Sequence, residues 1–270
     1  MNKGFTKHAN GRLIYYTIPD FDKAGMVKHC FTTRHGGVTA DPDIGSMNLG
    51  FHRGDDRENV LENYRIICDE IGTDCTRAVL SNQVHDDKIH FVKEEDAGKG
   101  IYKESDIKGI DALMTDVPGI PLVTFYADCV PLYFLDVKHK AIALAHSGWK
   151  GTQKRIAVKT IESMKDAFGT VPGELLVGIG PSIGVCHFEV GKEVYDCFEG
   201  YSGVAKISGG KYYVDLWHVI IAQLMQCGVS DGNITLADMC TYCMNDEFFS
   251  HRVQGNNRGN MAAILCLKED

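Results

Sequence analysis

The chain has 270 residues, of which 44% are hydrophobic and 24% charged, as in soluble globular proteins and unlike disordered or fibrous ones. Its 28 Lys and Arg residues against 36 Asp and Glu residues give a net charge of −8. An acidic chain without a long basic run is a poor partner for a nucleic-acid backbone or an anionic membrane, so we expect small-molecule substrates.

Apolar spacing predicts three helices and six short strands, taken here in chain order. The first helix follows Asp55-Asp56 and ends at Gly72, and strands come next at 122–125, 132–135 and 141–145. A second helix follows Gly151-Thr152 and ends at Gly169, and a strand follows it at 175–179. The third helix runs from Asp215 to Gly228, and the last strands lie at 234–237 and 261–267.

The strands are almost continuously apolar, so both faces of their sheet should be covered. Their order lacks regular βα alternation and no repeat or linker divides the chain. We therefore predict an α+β fold of mixed β-sheets flanked by helices, with residues 1–270 forming a single domain.

The sequence also predicts a cytoplasmic location. We find no apolar run long enough to span a membrane, and the first residues lack the apolar core of a signal peptide. The ten cysteines are then expected to be reduced, and six of them to be buried packing residues (Cys30, Cys68, Cys75, Cys197, Cys227 and Cys266).

Polar residues interrupt apolar segments at three places. Asp128-Cys129 separates two strands, His146 follows the strand at 141–145, and His85 follows the apolar residues 78–80. Two imidazoles and one thiol are ligands that Zn²⁺ selects, and three protein ligands with one open position are typical of catalytic zinc. The spacing matches no short metal motif, so structural roles for each residue remain open at this point.

At these residues the chain resembles the YfiH/YlmD family, the laccase-like polyphenol oxidoreductase family that includes purine nucleoside phosphorylases. The similarity extends over nearly the whole chain, in ordered blocks: FTTRHGG at 31–37, MNLG at 47–50, GDD at 54–56, NQVH at 82–85, DAL at 111–113, ADCVP at 127–131, HSGWKGT at 146–152, GPSI at 180–183, FEVG at 188–191, CT at 240–241 and FFSHR at 248–252.

The resemblance implies one zinc ion held by His85, Cys129 and His146, and a fold shared with a bacterial deamidating toxin domain. It further implies a cytosolic enzyme that cleaves adenosine, inosine and S-methyl-5′-thioadenosine with inorganic phosphate, with adenosine deamination as a side activity and no organic cofactor. The sequence departs from the family at Ser147 and Lys150, at Asp86, and at Asn257-Arg258-Gly259, so substrate preference can differ.

Each candidate reaction needs further residues. For deamination, zinc lowers the pKa of a bound water to about 7, and Asp128 is the nearest acidic candidate for a proton shuttle. For phosphorolysis, Arg34 and Arg252 are the phosphate candidates, and Gln83 and Asn48 the nucleoside candidates.

Three alternatives compete with this hypothesis. A multicopper oxidase is disfavoured because no His-x-His pair occurs among the eleven histidines. A metal-independent hydrolase or deamidase would use Cys129 as nucleophile and His146 or His85 as base. A zinc-dependent interaction module would need a closed four-ligand site.

Two further motifs are interpreted as structural. The pair Cys240 and Cys243 forms a single CxxC without a second pair, so we favour a structural role over a redox or metal-binding one. The glycine-rich stretch at 178–184 lacks the strand–turn–helix context of a nucleotide loop. We predict that it forms a pocket wall and that 189–191 begins the next helix.

Overall fold

A computed structural model describes residues 1–269 and places seven α-helices and sixteen strands in them. The helices are α1 (Pro19–Ala24), α2 (Arg57–Ile71), α3 (Trp149–Gln153), α4 (Ile156–Phe168), α5 (Lys192–Asp196), α6 (Leu216–Gln226) and α7 (His251–Gln254). The strands are β1 (Asn2–Lys3), β2 (Thr6–Asn10), β3 (Leu13–Thr17), β4 (Val27–Thr32), β5 (Val79–Leu80), β6 (Ile89–Phe91), β7 (Ala112–Thr115), β8 (Leu122–Tyr126), β9 (Val130–Asp136), β10 (Ala141–Ser147), β11 (Leu176–Ile179), β12 (Glu189–Val190), β13 (Ala205–Ser208), β14 (Lys211–Val214), β15 (Ile234–Leu236) and β16 (Met261–Leu267).

The strands form two large mixed sheets and one small sheet. The seven-stranded sheet has the order β1-β15-β11-β9-β10-β7-β6, the six-stranded sheet has the order β2-β3-β4-β16-β8-β5, and the small sheet has the order β12-β14-β13. Parallel pairs such as β11–β15 occur beside antiparallel pairs such as β9–β10. The predicted α+β class with mixed sheets is confirmed.

Alternating side chains place the two large sheets face to face between two helical layers. In β10, Ala141, Ala143 and Ala145 pack toward α4 and α6, while Ile142 and Leu144 pack toward the six-stranded sheet. The outer face of that second sheet packs against α2. Both faces of the central strands of each large sheet are therefore buried, as the continuous hydrophobicity of those strands predicts.

The three predicted helices are present, with one different beginning. Helix α2 begins after Asp56 and ends at Gly72, whose φ of 72° is the left-handed conformation that glycine adopts readily. Helix α6 follows Asp215, whose carboxylate accepts the N–H of His218. The second predicted helix starts earlier than expected and is broken, because Arg155 at φ 61° separates α3 from α4.

Five of the six predicted strands extend or shorten by one to two residues at an end, and β16 has the predicted bounds. Three other expectations were wrong. Residues 189–190 form β12 rather than a helix, and α5 begins only after Gly191. The stretch 178–184 packs on Ile18 and Pro131 instead of lining the main cavity. Cys197 is exposed rather than buried.

The crossing between the two large sheets positions the candidate site. Strand β8 belongs to the six-stranded sheet and β9 to the seven-stranded sheet, so residues 127–129 carry the chain from one sheet to the other. His146 pairs with Pro131 at the end of β10, next to this crossing. In residues 1–269, no helix is both long enough and apolar enough to cross a membrane.

Candidate metal and active site

The structure brings His85, Cys129 and His146 together. One ligand atom of each lies within 4.8 Å of the other two, although the residues come from three separate segments of the chain. The two imidazole rings meet edge to face with centroids 4.9 Å apart. Two imidazoles and a thiolate in this arrangement have the chemistry and the spacing to hold one zinc ion.

The backbone around the three side chains is unusual at three positions, His85, Asp128 and Gly148. His85 has φ 61° and Asp128 has φ 88°, a left-handed conformation that costs a residue other than glycine about 1–3 kcal/mol. The main chain at Gly148 passes so close that an added Cβ would lie 3.1 Å from both Cys129 Sγ and His85 Cδ2. Only glycine at this position leaves the ligands unobstructed.

Asp111, which the sequence reasoning did not single out, holds two of the three ligands in position. It is fully buried, and its carboxylate accepts the backbone N–H groups of Val84 (3.1 Å), His85 (3.0 Å) and Asp86 (2.9 Å). It also lies 2.8 Å from Nδ1 of His146. With Nδ1–H donating to the carboxylate, Nε2 of His146 is left free to bind a metal.

The electrostatics of the triad favour the ligating form of the cysteine. Burial raises the pKa of the Cys129 thiol, but the imidazoles of His146 and His85 outweigh burial and bring the pKa down to about 6. Burial likewise lowers the pKa of His146, whereas the Cys129 thiolate and the Asp111 carboxylate raise it, to a net value of about 9. Without a metal, these values describe a Cys129 thiolate paired with a protonated His146 at neutral pH, and a metal binding at Nε2 would displace that proton.

A cavity of about 450 Å³ opens onto the triad. Its apolar wall includes Phe51, Leu80, Ile107, Phe125 and Tyr126. Its polar wall contains several cationic side chains, namely Arg53, Arg57, Lys108 and Arg258. The volume and the mixture of aromatic and cationic groups suit a small ligand with one flat apolar part and one anionic part.

Three predicted residues have side chains that are already engaged. Asp128 does not line the cavity: its carboxylate accepts from Thr241 Oγ1 (2.6 Å) and from the backbone N–H of Arg252 (2.7 Å). Asn48 is fully buried, and its amide bonds Gly50, Asp55 and Asn260.

Gln83 does line the cavity, but its amide pairs with the backbone N–H and C=O of Phe125, at 2.7 and 2.9 Å. These contacts indicate that Gln83 and Asn48 hold the cavity walls, and that Asp128 fixes the segment carrying Cys129.

The two predicted phosphate-binding arginines lie outside the cavity. Arg34 donates to the carbonyl of Asn245 at 2.9 Å and stacks over Phe249. Arg252 donates to the carbonyls of His187 (3.0 Å) and Glu189 (2.9 Å). Both guanidinium groups serve as clamps between loops.

A different arginine, Arg258, has the features of an anion-binding residue. It is only 9% exposed, and among residues 1–269 its Nε has no hydrogen-bond partner, while its Nη1 donates to Oδ1 of Asn260 at 2.8 Å. Burial and the neighbouring Arg53 guanidinium lower the pKa of Arg258 to about 10. The Asp128 carboxylate and the Cys129 thiolate partly offset this lowering. Two neighbouring guanidinium groups, one of them buried and with an unbonded Nε, suit a small anion as ligand.

Comparison with known proteins places this site in context. The family model described as multi-copper polyphenol oxidoreductase laccase matches residues 28–268. A relative from Bacteroides thetaiotaomicron named purine nucleoside phosphorylase is 34% identical, over 89% of this chain and 92% of the relative. A relative from an unknown prokaryotic organism named adenosine deaminase RL5 is 32% identical, over 89% of this chain and 94% of that one.

The fold has solved counterparts as well. The crystal structure of YlmD from Geobacillus stearothermophilus superposes with a TM-score of 0.91 at 31% sequence identity, covering 98% of this chain and 99% of that one.

Proposed function

The chain belongs to the laccase-like polyphenol oxidoreductase family, and on that basis we propose that it is a zinc-dependent purine nucleoside phosphorylase of the cytoplasm. Its proposed substrates are inorganic phosphate and adenosine, inosine or S-methyl-5′-thioadenosine, and residues 1–270 act as one catalytic domain. Ten free cysteines support a reducing compartment.

The proposed zinc ligands are His85, Cys129 and His146. A zinc ion bound there supplies a Lewis acid at the end of the cavity. Asp111 keeps His146 in the tautomer that presents Nε2, and it holds the backbone of His85 through three consecutive N–H groups.

Arg258 and Arg53 are the proposed phosphate-binding residues, in place of Arg34 and Arg252. The unpartnered Nε of Arg258 is available to an anion, and a guanidinium can hold two phosphate oxygens at once. Arg258 lines the same cavity as His85, Cys129 and His146, so a phosphate bound by Arg258 would lie near the proposed zinc ligands.

The apolar wall is the proposed purine site. Phe125 and Phe51 are half-buried aromatic residues of the cavity wall, and such rings bury the faces of a flat heterocycle. The ribose would then lie between the purine and the phosphate, which is the order that cleavage of the bond between base and sugar requires.

One observation carries this proposal: a three-ligand metal site and a buried guanidinium with an unbonded Nε open onto the same cavity. Acyl hydrolysis needs no such cation, whereas phosphate as a co-substrate does. The first experiment is therefore elemental analysis of the purified protein together with adenosine turnover, with and without phosphate, followed by chromatography of the purine products.

We expect zinc in the protein and phosphate-dependent release of adenine. The variant His85→Ala should lose the site's zinc and the phosphorolysis together, while His218→Ala, a change at an exposed histidine outside the site, should keep both. Phosphorolysis at the wild-type rate in His85→Ala would contradict the assignment. Conversion of adenosine to inosine in the same assay would reveal the deaminase side activity, which the relative named adenosine deaminase supports.

A second candidate is supported by the Cys129–His146–Asp111 arrangement itself. An activated thiolate, an imidazole and an orienting carboxylate are also the components of a thiol hydrolase or deamidase. Chelation separates the two candidates, because a thiol hydrolase keeps its activity after zinc removal and a zinc enzyme loses it. A Cys129→Ser variant does not separate them, since both mechanisms need the sulfur.

A further inference from the structure

A second cluster of metal-ligand side chains lies outside the cavity. Cys186, His187, Cys240 and Cys243 each place one ligand atom within 4.8 Å of the other three. The sequence shows only one CxxC, at 240–243, and the fold supplies the second pair of ligands from residues 186 and 187.

Two of the distances in this cluster match those of a tetrahedral zinc site, and the remaining ligand atoms lie within 4.8 Å of one another. With Zn–S bonds of about 2.3 Å, two thiolates on one tetrahedral ion lie about 3.8 Å apart, and a thiolate and an imidazole nitrogen lie slightly closer. Cys186 Sγ and Cys243 Sγ are 3.7 Å apart, and Cys243 Sγ is 3.3 Å from His187 Nδ1. A disulfide would need about 2.05 Å between the sulfurs, so these thiols are not bonded to one another.

The surroundings hold the ligands in this arrangement. The N–H of Gly184 donates to Cys240 Sγ at 3.2 Å, and such a hydrogen bond holds the sulfur in place and stabilises it as a thiolate. The ring of Tyr242, inside the CxxC, stacks on the His187 ring with centroids 3.9 Å apart. A backbone bridge between Ser182 and Cys240 ties the two segments together.

We propose that Cys186, His187, Cys240 and Cys243 form a second, structural zinc site. Three cysteines and one histidine fill all four tetrahedral positions, which is the closed coordination of structural rather than catalytic zinc. Cys186 and Cys243 are exposed, and a bound ion keeps such thiols from oxidation.

The site would stabilise the scaffold behind the first metal centre. Thr241, between the two CxxC cysteines, donates to Asp128, the residue next to Cys129. The carbonyl of His187 accepts from Arg252, whose N–H donates to the other oxygen of Asp128. Zinc at the second site would therefore fix both segments that hold the Asp128 carboxylate.

The test is zinc stoichiometry in protein purified under reducing conditions. We expect two zinc ions per wild-type chain, and one each in His85→Ala and in the double variant Cys186→Ser/Cys243→Ser. The control Cys197→Ser removes an exposed thiol outside the cluster and should retain two. The two sites are thus measured separately. The proposal of a second zinc site can therefore be rejected without affecting the first zinc site or the proposed enzymatic function.

X-ray absorption at the zinc edge gives a second measurement on wild-type protein, independent of variant folding. With both sites filled, the three cysteines of one and the single cysteine of the other give an average of two sulfur ligands per zinc. One zinc with one sulfur ligand would overturn the proposal. So would a Cys186–Cys243 disulfide found by mass spectrometry in metal-replete protein, or a double variant that retains two zinc ions.

Discussion

Replacing Asp111 by Asn changes one atom group and tests how the first metal centre is held together. Oδ1 of Asp111 accepts from the backbone N–H of His85 and lies against His146 Nδ1; Oδ2 accepts from the N–H groups of Val84 and Asp86. Asparagine keeps one acceptor oxygen. Its NH₂ group would face two N–H donors that can no longer be satisfied.

The expected magnitude follows from these bonds. A hydrogen bond to a charged group contributes about 1.5–3 kcal/mol, so losing two should lower the free energy of unfolding by about 3–6 kcal/mol. If the asparagine amide instead turns its NH₂ toward His85 and His146, then His146 loses the acceptor that fixes its tautomer. Loss of such an orienting partner typically weakens metal binding about 10–100-fold.

Competition with a chromophoric chelator measures the zinc affinity, and urea unfolding of zinc-free protein measures stability. The matched control is Asp136→Asn. Asp136 is also buried, lies 2.8 Å from His139 Nδ1 and accepts the N–H groups of Lys138 and His139, but far from the cavity lining. The Asp136→Asn variant should have a lower free energy of unfolding and an unchanged affinity for zinc. An Asp111→Asn variant with both the zinc affinity and the stability of wild type would refute the role given to Asp111.

Three further predictions concern other parts of the molecule. Arg258→Ala should raise the KM for phosphate at least tenfold and leave bound zinc unchanged in elemental analysis, while the exposed Arg65→Ala should change neither. Gly148→Ala should weaken zinc binding in the chelator assay because its Cβ meets two ligands, whereas Gly200→Ala, with nothing within 4 Å, should not.

The third prediction in this group concerns pH. Burial lowers the pKa of His29 to about 4, so the free energy of unfolding should fall by about 3 kcal/mol from pH 6.5 to pH 4. In urea titrations at several pH values, the His29→Gln variant should show a weaker dependence of this free energy on pH. The sign follows because the unfolded chain binds the proton that the folded chain rejects. An unchanged slope in the variant would assign the pH dependence to other groups.

The sequence revealed the buried strands more readily than the exposed ones, for a physical reason. Strand β16 is a continuous apolar run and had the predicted bounds, because every residue in it is buried. Strand β2 has a mostly exposed, polar sequence, and its pairing with β3 depends on backbone hydrogen bonds that leave no periodic trace. The break at Arg155 was likewise invisible, since nothing in the side-chain pattern indicates a left-handed residue there.

In the candidate site, too, the sequence indicates some residues and not others. His85, Cys129 and His146 were identifiable because polar ligand types interrupt apolar segments and match a family pattern. Asp111 was not, since three of its partners are backbone N–H groups, which have no sequence signature. Its signals in the sequence were a carboxylate just before the buried strand β7 and its place in the family block at 111–113, neither of which indicates what it holds.

The arginines show a further limit of reading charge from sequence. In the sequence, nothing about charge distinguishes Arg34, Arg252 and Arg258 from one another. Arg34 and Arg252 lie in the stronger blocks of family similarity. What separates them is whether backbone carbonyls already satisfy the guanidinium, as they do for Arg34 and Arg252. Only tertiary structure reveals that Arg258 keeps an unbonded Nε.

The same distinction reconciles an acidic chain with an anionic co-substrate. The net charge of −8 is spread over the whole molecule, and exposed charges farther away than about 10 Å are screened by salt. The cavity lining, as far as residues 1–269 describe it, holds Arg53, Arg57, Lys108 and Arg258 and no carboxylate. A phosphate ion entering this space would meet a local positive field in a partly desolvated site, where charges interact most strongly. Overall charge thus disfavours polyanion binding, whereas the local charge of the cavity suits the small anion of the proposed function.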